Sequence, residues 1–313
     1  MKYRTLGKTG LRISEVGLGT MVHAGHFGPM DDKESLSAIE TALDLGVNFI
    51  DTSDAYGAGY SETLLGKALK GKRDKVVLAT KGGNVMIGPN RGKTDFSVPY
   101  IARVMDDSLE RLQTDYIDLY QLHNPTVDVI ARQGIWELLE QRKKEGKIRH
   151  YGVSINRVEE GTAAIDGGKS ESIQIEFSLI LQEPKESLFP HARKADIGII
   201  ARAPLRRSLL TGKFNAEDQS KFQGEDVRAR NFRGELFAKE LAKVESFRFL
   251  EGNGRTLAQA AIGFCLAFDA VSVVIVGARN AAQMRANAAA SDIRLSPEEL
   301  AKADAIWRSG FKL

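Results

Sequence analysis

Four side chains that can together transfer a proton and stabilise charge occur at the ends of three successive strand patterns. The segment FIDTSDAYG supplies Asp51 and Tyr56, ATKGG supplies Lys81, and YQLHNP supplies His123 followed by Asn124. Each residue alone has an ordinary structural explanation, such as a capping carboxylate or a solvated lysine. An acid, a phenol, an amine and an imidazole at neighbouring strand ends indicate a catalytic group.

The chemistry that this set favours is proton transfer to or from a substrate oxygen. A phenol has an ordinary pKa of about 10, so it is a weak acid at neutral pH unless its anion is stabilised. The Lys81 ammonium would stabilise the anion, and the Asp51 carboxylate would keep the lysine charged and in place. His123 can hydrogen-bond the substrate oxygen. The matching reaction is reduction of a carbonyl, or oxidation of an alcohol in reverse.

Alternating strand and helix patterns along the chain predict the framework that would hold these residues. Apolar strands without clean alternation indicate burial on both faces. Eight strand–helix pairs are typical of a closed (β/α)₈ TIM barrel, with an open doubly wound sheet as the rival. A barrel collects the carboxyl ends of its strands at one rim. The predicted strands are 16–20, 47–52, 75–80, 116–123, 148–154, 172–178, 198–204 and 271–277.

The helices are predicted from amphipathic periodicity and from their terminal residues. Asp31 or Asp32 is the expected N-cap of the first helix, and Gly46 its stop. The opening YRTLGKTGLRIS predicts a β-hairpin at the barrel bottom, and the capping box at Ser296 predicts an extra C-terminal helix. We expect a single domain over residues 1–313. The predicted barrel helices are 33–45, 62–69, 100–112, 130–144, 158–165, 188–195, 257–268 and 281–289.

Composition excludes several classes of partner. The net charge is only +3, and basic residues are scattered among acidic ones, unlike the concentrated basic surface of a nucleic-acid-binding protein. The sequence has neither an apolar run of transmembrane length nor a signal-peptide pattern, so we expect no membrane partner and a cytoplasmic protein. Cys265, the single cysteine, is expected to be a buried thiol. A monomer is the default expectation.

Two predicted loops, 82–99 and 205–235, exceed ordinary length and are expected to shape the substrate or cofactor site. A third, glycine-rich loop carries His23 and His26. Since the pair lies in a glycine-rich loop, we expect it to border the substrate pocket rather than bind a metal. The other histidines show no spacing suited to metal ligands. No metal site is therefore predicted.

The motifs resemble those of the aldo-keto reductases over essentially the whole chain. They are RTLGKTGLRISEVGLGT, FIDTSDAYG, ATKGG, LHNP, YGVS, PL…LLTGKF and IVGARNAAQMRAN. The resemblance implies a (β/α)₈ barrel, NADP(H) bound without a Rossmann fold, and a small carbonyl or sugar substrate. It also implies Tyr56 as general acid/base, assisted by Lys81, Asp51 and His123. The chain contains no complete G-x-G-x-x-G motif, which agrees with this resemblance.

The resemblance further implies which positions contact the cofactor. One group would meet the nicotinamide, a second the pyrophosphate, and a third the adenosine 2′-phosphate, where Arg279 favours NADP(H) over NAD(H). A helix N-terminus with a nearby guanidinium is a suitable phosphate site. In that order the groups are Thr20, Met21, Asp51, Asn124, Ser154, Gln174 and Arg202; Pro204, Leu205, Arg206, Arg207, Ser208 and Lys213; and Gly277, Arg279, Gln283 and Asn287.

Several positions depart from the common family pattern. Ile155 follows Ser154 where a Ser-Asn pair often binds the carboxamide, which removes one hydrogen bond. Arg202 stands where many members place an aromatic ring against the nicotinamide, and a planar guanidinium can stack instead. Ser208 replaces a usual glycine beside two arginines, which form either a phosphate site or an exposed cluster. Ala286 replaces an acid that often contacts the adenine.

A second class of function stays open at this point. The barrel-shaped β subunits of potassium channels keep the same four residues. A nicotinamide-binding module that senses redox state is therefore the alternative to an enzyme. The rate of cofactor consumption by a Tyr56→Phe variant would separate the two.

Overall fold

The computed structural model describes residues 1–87, 90–224, 226–252 and 254–311. Eight of its strands form a closed barrel, and two pairs of strands form separate hairpins. The strands are β1 (Tyr3–Thr5), β2 (Arg12–Ser14), β3 (Val16–Gly19), β4 (Phe49–Asp51), β5 (Val77–Gly82), β6 (Asn84–Ile87), β7 (Asn90–Thr94), β8 (Ile117–His123), β9 (Ile148–Ser154), β10 (Ser172–Glu176), β11 (Gly198–Arg202) and β12 (Val271–Val276).

The α-helices surround the barrel and follow its strands in the alternating order that the sequence predicts. They are α1 (Asp32–Asp44), α2 (Tyr60–Ala68), α3 (Val98–Leu112), α4 (Val127–Ile130), α5 (Gln133–Lys144), α6 (Val158–Asp166), α7 (Leu188–Lys194), α8 (Val227–Asn231), α9 (Glu235–Glu245), α10 (Leu257–Leu266), α11 (Ala281–Ala289) and α12 (Pro297–Arg308). Asp31 is the N-cap of α1, and Ser296 forms the expected capping box of α12.

The barrel closes in the order β10-β11-β12-β3-β4-β5-β8-β9, with parallel neighbours throughout. Its register places Asp51 beside Ala79, and Lys81 beside Gln121. Since all eight strands run the same way, their carboxyl ends form one rim. The (β/α)₈ barrel with an N-terminal hairpin and a C-terminal helix, predicted from the sequence, is confirmed.

Apolar side chains fill the barrel below that rim. The hairpin β1–β2 closes the bottom with Leu6 and Ile13, both fully buried. Strand side chains two residues apart share a face. The polar residues Asp51, Lys81 and Gln121 therefore lie one layer above apolar ones. That apolar layer consists of Phe49, Ala79, Leu119, Ile200, Val273 and Ile275.

One predicted helix, 130–144, is divided in two in the structure. The Thr126 side chain accepts a hydrogen bond from Val129 N and starts α4 earlier than expected. The Ile130 carbonyl then accepts a hydrogen bond from the Trp136 indole at 2.7 Å. Arg132 has an extended backbone with φ −73 and ψ 115 and is the N-cap of α5, which therefore begins afresh at Gln133.

The two long loops contain structure of their own. The first holds the hairpin β6–β7, and the second holds α8. The helix α9, which follows directly, was not predicted, although Phe237 and Val244 lie two turns apart and both face the core. Residues 88, 89 and 225 of the predicted loops, and 312–313 of the tail, lie outside the described part of the chain.

The single cysteine has the buried position expected from its apolar neighbours. Cys265 is fully buried, and its Sγ donates to the Phe177 carbonyl at 3.4 Å. Burial raises the pKa of this thiol well above its ordinary value. Among the described residues, no helix has the length and apolar character needed to cross a membrane.

Candidate active site

Lys81 lies at the centre of the rim and is fully buried. Its Nζ donates to Asp51 Oδ1 at 2.5 Å, to the Thr52 carbonyl at 2.7 Å and to Tyr56 OH at 3.3 Å. Burial by itself would lower the pKa of Lys81, but the interactions with Asp51 and Tyr56 together outweigh burial and raise the pKa above the usual value. The amine is therefore a charged ammonium in contact with the phenol.

The second carboxylate oxygen of Asp51 is held by two amides. Gln174 Nε2 donates to Oδ2 at 2.8 Å, and Gln121 Nε2 does so at 3.2 Å. These bonds satisfy a buried charge that would otherwise be costly. Gln121 was missed in the sequence, although it lies two residues before His123 on β8 and must share its face.

A network of hydroxyls ties the backbone of Asp51 to the neighbouring elements. Thr20 Oγ1 donates to the Asp51 carbonyl at 3.1 Å. Ser61 Oγ, on α2, donates to Thr20 Oγ1 at 2.7 Å. Thr20 starts a short 3₁₀ helix that also contains Met21. The 3₁₀ helix after β3 and the helix α2 thus fix the end of β4.

Tyr56 and His123 lie next to each other above the lysine. Their rings meet edge to face with centroids 6.1 Å apart. His123 Nδ1 is 3.0 Å from Ser53 Oγ. The structure therefore brings together all four residues predicted to be catalytic, from β4, its following turn, β5 and β8.

The two loop histidines have different surroundings. The His26 ring lies 6.0 Å from the Tyr56 ring, so it borders the catalytic group. His23 is buried, and neither of its ring nitrogens has a hydrogen-bond partner among the described residues. Burial, and secondly the Arg279 guanidinium, lower the pKa of His23 to about 4. This imidazole is neutral.

The residues predicted to meet the nicotinamide carboxamide lie along β8, β9 and β10. Ser154 Oγ donates to Gln174 Oε1 at 3.3 Å, which connects it to Asp51. Asn124 has a left-handed backbone with φ 62, and its N–H donates to the Ser154 carbonyl at 2.6 Å. Ile155, the departure from the usual Ser-Asn pair, is fully buried and faces away into the core.

Arg202, at the end of β11, is held in place by the chain after β9. Its Nη2 donates to Asn156 Oδ1 at 2.8 Å and to the Ile155 carbonyl at 3.1 Å. Asn156 was missed, and no sequence pattern marks it, because its partner lies on another strand. These bonds fix the guanidinium plane where the family often has an aromatic ring.

Glu176 binds the three arginines of this region. Arg206 Nη1 lies 2.6 Å from its carboxylate, whereas Arg202 and Arg207 each lie at 3.5 Å. Burial alone would raise the pKa of Glu176, but the three guanidiniums outweigh it and the pKa is lowered. Arg206 also bonds Glu240 at 3.0 Å. Arg206 and Arg207 are thus partly buried and anchored, rather than an exposed cluster.

The turn that carries these arginines has an unusual backbone. Arg206, Arg207 and Ser208 have φ values of 47, 53 and 74, so three successive non-glycine residues are left-handed. Each such residue costs roughly 1–2 kcal/mol. Strain of this kind concentrates at functional sites. Pro204 and Leu205 lead into this turn, and Lys213 follows it.

Positive charge gathers at the start of α11. Arg279 Nη1 donates to the Phe27 carbonyl at 2.8 Å, and Arg228 Nη2 donates to the same oxygen at 3.1 Å. Burial first, then Arg228 and Arg279, lower the pKa of Lys213. Lys213 and Arg279 suit a multiply charged anion, whereas the Arg228 guanidinium is already paired with the Asp226 carboxylate at 2.5 Å. Arg228 was missed, because only the folded loop brings it near Arg279.

Two further residues of α11 bond the backbone that precedes it. Gln283 Oε1 accepts from Arg279 N at 2.9 Å, and Asn287 Nδ2 donates to the Gly277 carbonyl at 3.1 Å. A Cβ on Gly277 would lie 3.4 Å from Val22, so the chain is close-packed there. These contacts order the predicted 2′-phosphate end around the helix N-terminus.

Comparison with known proteins gives the same family along the chain. The model of the aldo/keto reductase family matches residues 15–308. The uncharacterized oxidoreductase YqkF of Bacillus subtilis (strain 168) is 36% identical over 304 residues, covering 97% of this chain and 95% of the relative. The holo form of aldo-keto reductase AKR11C1 from Bacillus halodurans is 33% identical, with a TM-score of 0.83 and coverage of 98% and 96%.

A more distant solved structure agrees in fold and in family. An aldo/keto reductase from Klebsiella pneumoniae in complex with NADP and acetate is 26% identical, with a TM-score of 0.74 and coverage of 98% and 96%. The family match spans nearly the whole chain, and the relatives align over almost their full lengths. This chain is therefore an oxidoreductase that belongs to the aldo/keto reductase family.

Proposed function

We propose that the protein is an NADPH-dependent reductase of aldehyde or ketone carbonyls that also runs in reverse on sugars or secondary alcohols. The contact of Lys81 Nζ with Tyr56 OH at 3.3 Å carries this proposal. The ammonium is itself held by a buried carboxylate at 2.5 Å. The ammonium is thus already in place to stabilise the phenolate that forms when Tyr56 donates its proton.

NADP(H) is the cofactor that fits the rim. Lys213 and Arg279 lie at one end, where a 2′-phosphate would balance their charge, and Arg228 is held beside them by Asp226. Arg202 offers a flat cation at the other end, next to the catalytic group. The Klebsiella pneumoniae relative holds NADP. When bound, reduced nicotinamide supplies a hydride to the carbonyl carbon.

We assign the cofactor contacts in three groups, following the order of the rim. The nicotinamide end is assigned to side chains around Asp51, the pyrophosphate to the left-handed turn, and the 2′-phosphate to the start of α11. These are Thr20, Met21, Asp51, Asn124, Ser154, Gln174 and Arg202; then Pro204, Leu205, Arg206, Arg207, Ser208 and Lys213; then Gly277, Arg279, Gln283 and Asn287.

The side chains of the chain itself handle the proton. Tyr56 OH donates to the carbonyl oxygen, and the resulting phenolate is stabilised by the Lys81 ammonium. Asp51 keeps that lysine charged and fixed. His123, edge-on to Tyr56, hydrogen-bonds the same oxygen and orients the substrate. In the oxidation direction, the phenolate accepts the hydroxyl proton.

Replacing Tyr56 with phenylalanine tests this assignment. Tyr56→Phe removes the proton donor and keeps the ring, so kcat for NADPH-dependent carbonyl reduction should fall by about 10²–10⁴-fold. NADPH binding, followed by protein fluorescence, should be retained. The measurement is NADPH oxidation across a panel of aldehydes, ketones and sugars.

The neighbouring Tyr60 provides a matched control, because it is 42% exposed and its hydroxyl bonds Asp32 outside the catalytic group. Tyr60→Phe should keep wild-type activity. An unchanged rate in Tyr56→Phe would overturn the assignment. Tight NADPH binding without turnover of any substrate by the wild type would favour the redox-sensing module instead.

A further inference from the structure

A chain of three side chains runs from His123 away from the rim into the protein. His123 Nδ1 lies 3.0 Å from Ser53 Oγ, and Ser53 Oγ lies 3.0 Å from Asp54 Oδ1. Ser53 is fully buried and Asp54 is 8% exposed. Ala55 N donates to Ser53 Oγ at 3.1 Å and holds the hydroxyl in place. Asp54 and His123 are therefore connected through one buried hydroxyl.

That hydroxyl has a single proton and two acceptor lone pairs, of which Ala55 N uses one. When Asp54 is ionised, Ser53 donates to the carboxylate and accepts from His123 Nδ1–H. A neutral His123 then has no proton on Nε2. When Asp54 is protonated, it donates to Ser53, Ser53 donates to Nδ1, and the His123 proton is on Nε2.

We propose that Asp54, acting through Ser53, is a positioning residue that sets the tautomer of His123 and thereby decides whether Nε2 can donate a hydrogen bond to the substrate oxygen. Nε2–H donates to that oxygen in both directions of the reaction and leaves the proton transfer to Tyr56. An Nε2 without a proton can only accept a hydrogen bond, and it then competes with the Tyr56 phenolate for the single proton of an alcohol hydroxyl. This inference rests on the proposed function, in which His123 meets the substrate oxygen.

The change between the two states balances in protons. A proton from solvent arrives at His123 Nε2, the Nδ1 proton passes to Ser53 Oγ, and the former Ser53 proton passes to Asp54. The carboxylate becomes a neutral acid, and the imidazole stays neutral. No electrons move.

The surroundings of Asp54 place this change in the neutral pH range. Glu62 is fully buried and is bound by Arg111 at 2.7 Å and Thr80 at 2.5 Å. Burial first, then the Glu62 carboxylate, raise the pKa of Asp54 to about 7, against the opposing effects of Ser53 and Arg111. The charged and titratable groups that face Asp54 from α2, α3 and β8 are Glu62, Tyr100, Arg111 and Tyr120.

Nitrogen-15 NMR of histidine-labelled protein, without cofactor or substrate, reads the tautomer directly. In the wild type we expect the His123 proton on Nε2 below a pH of about 7 and on Nδ1 above it. Asp54→Asn cannot ionise, and its amide donates to Ser53, so Nε2 should stay protonated at every pH. A wild-type tautomer that does not change, or a change that persists in Asp54→Asn, would overturn the inference.

This NMR result does not depend on turnover, so it separates failure of the relay from failure of the proposed function. If the protein reduced no carbonyl, NMR would still show whether the His123 tautomer changes with pH, because the measurement uses neither cofactor nor substrate. A protein that catalyses reduction with a fixed His123 tautomer would refute the relay alone.

Kinetic pH profiles in both directions provide the second readout. Above pH 7, kcat/KM in the wild type should fall about tenfold or more as Nε2 loses its proton, and Asp54→Asn should escape that fall. The effect should be equal in both directions, because a variant cannot change the equilibrium constant. Ser53→Ala should remove the inflection near neutral pH, and Ser53→Thr, which restores a hydroxyl, should recover it. Profiles of Asp54→Asn and Ser53→Ala that match the wild type would refute the relay.

Tyr100→Phe is the matched control for these measurements. Its hydroxyl faces Asp54 but donates to the Asn84 carbonyl at 3.0 Å, outside the relay. This variant should keep the wild-type pH profile. Thermal melting of each variant identifies any variant that does not fold. If Asp54→Asn does not fold, the pH profile of Ser53→Ala is the test of the relay.

Discussion

Lys81 shows how single residues of the rim obtain their chemistry from their neighbours. The ammonium is fully buried, which alone would favour its neutral form. The Asp51 carboxylate at 2.5 Å and the Tyr56 hydroxyl together reverse that preference. Two amides then satisfy the remaining oxygen of Asp51. The charge beside Tyr56 therefore depends on residues that do not themselves touch the phenol.

At the same scale, Arg279 should decide the choice between NADPH and NADH. Arg279→Ala removes a guanidinium at the proposed 2′-phosphate end, and a charge-assisted hydrogen bond contributes about 1.5–3 kcal/mol. We expect the Kd for NADPH to rise by roughly 10–100-fold while the Kd for NADH changes little. Fluorescence titration with both cofactors measures this.

Arg285, an exposed arginine on α11, is the control for that titration. Arg285→Ala changes the net charge equally and should leave both dissociation constants as they are. Equal weakening of NADPH and NADH by Arg279→Ala would contradict the assignment of the 2′-phosphate.

At the scale of elements, the left-handed turn after β11 combines strain with anchoring. Three successive residues have positive φ, and Glu176 and Glu240 fix the guanidiniums of the turn. The carboxylates keep the turn in shape and hold the arginines at the rim. The sequence shows only that a glycine common in the family is absent at position 208.

Glycine at that position should stabilise the protein. Ser208 has φ 74, which glycine adopts without steric cost, so Ser208→Gly should raise the free energy of unfolding by about 1 kcal/mol. This corresponds to a Tm increase of roughly 1.5 °C in scanning calorimetry. Ser208→Ala keeps the Cβ and should show no such increase. Equal Tm values for the glycine and alanine variants would mean that the backbone is unstrained there.

At the scale of the whole molecule, the N-terminal hairpin connects the barrel bottom to the rest of the core. Arg4 donates to Glu15 at 2.7 Å and to the Val271 and Leu266 carbonyls at 2.7 and 2.8 Å. Leu6 is fully buried against the inner apolar layer. We propose on this basis that residues 1–313 form one domain. The bottom of its barrel contributes to the stability of the fold, and the rim holds the residues that react with substrate.

Truncating Leu6 separates those two roles. Leu6→Ala leaves a cavity at the barrel bottom and should lower the free energy of unfolding by about 2–5 kcal/mol. The kcat of the folded variant should stay at the wild-type value, because the rim is untouched. Denaturant unfolding and carbonyl reduction measure the two quantities.

Leu236, 47% exposed, is the control: Leu236→Ala should change neither the free energy of unfolding nor kcat. A large loss of kcat in folded Leu6→Ala would contradict this division.

The barrel and the positions of the residues that we propose to be catalytic could be predicted from local sequence pattern. Strand and helix periodicity repeat eight times, and parallel strands place their ends on one rim. Asp51, Lys81 and His123 each end such a strand. The positions of helix boundaries were less accurate, since a boundary depends on the backbone of single residues, such as the extended Arg132 between α4 and α5.

The partners of those residues were decided only by the tertiary structure. Gln174 meets Asp51 across 123 positions of sequence, and Arg206 meets Glu176 across 30. A hydrogen bond requires about 3 Å between atoms, and no local pattern encodes a distance across a closed barrel. The sequence by itself determined which groups reach the rim. Barrel closure decided which of them bond, and with that the charges of Lys81 and Asp54.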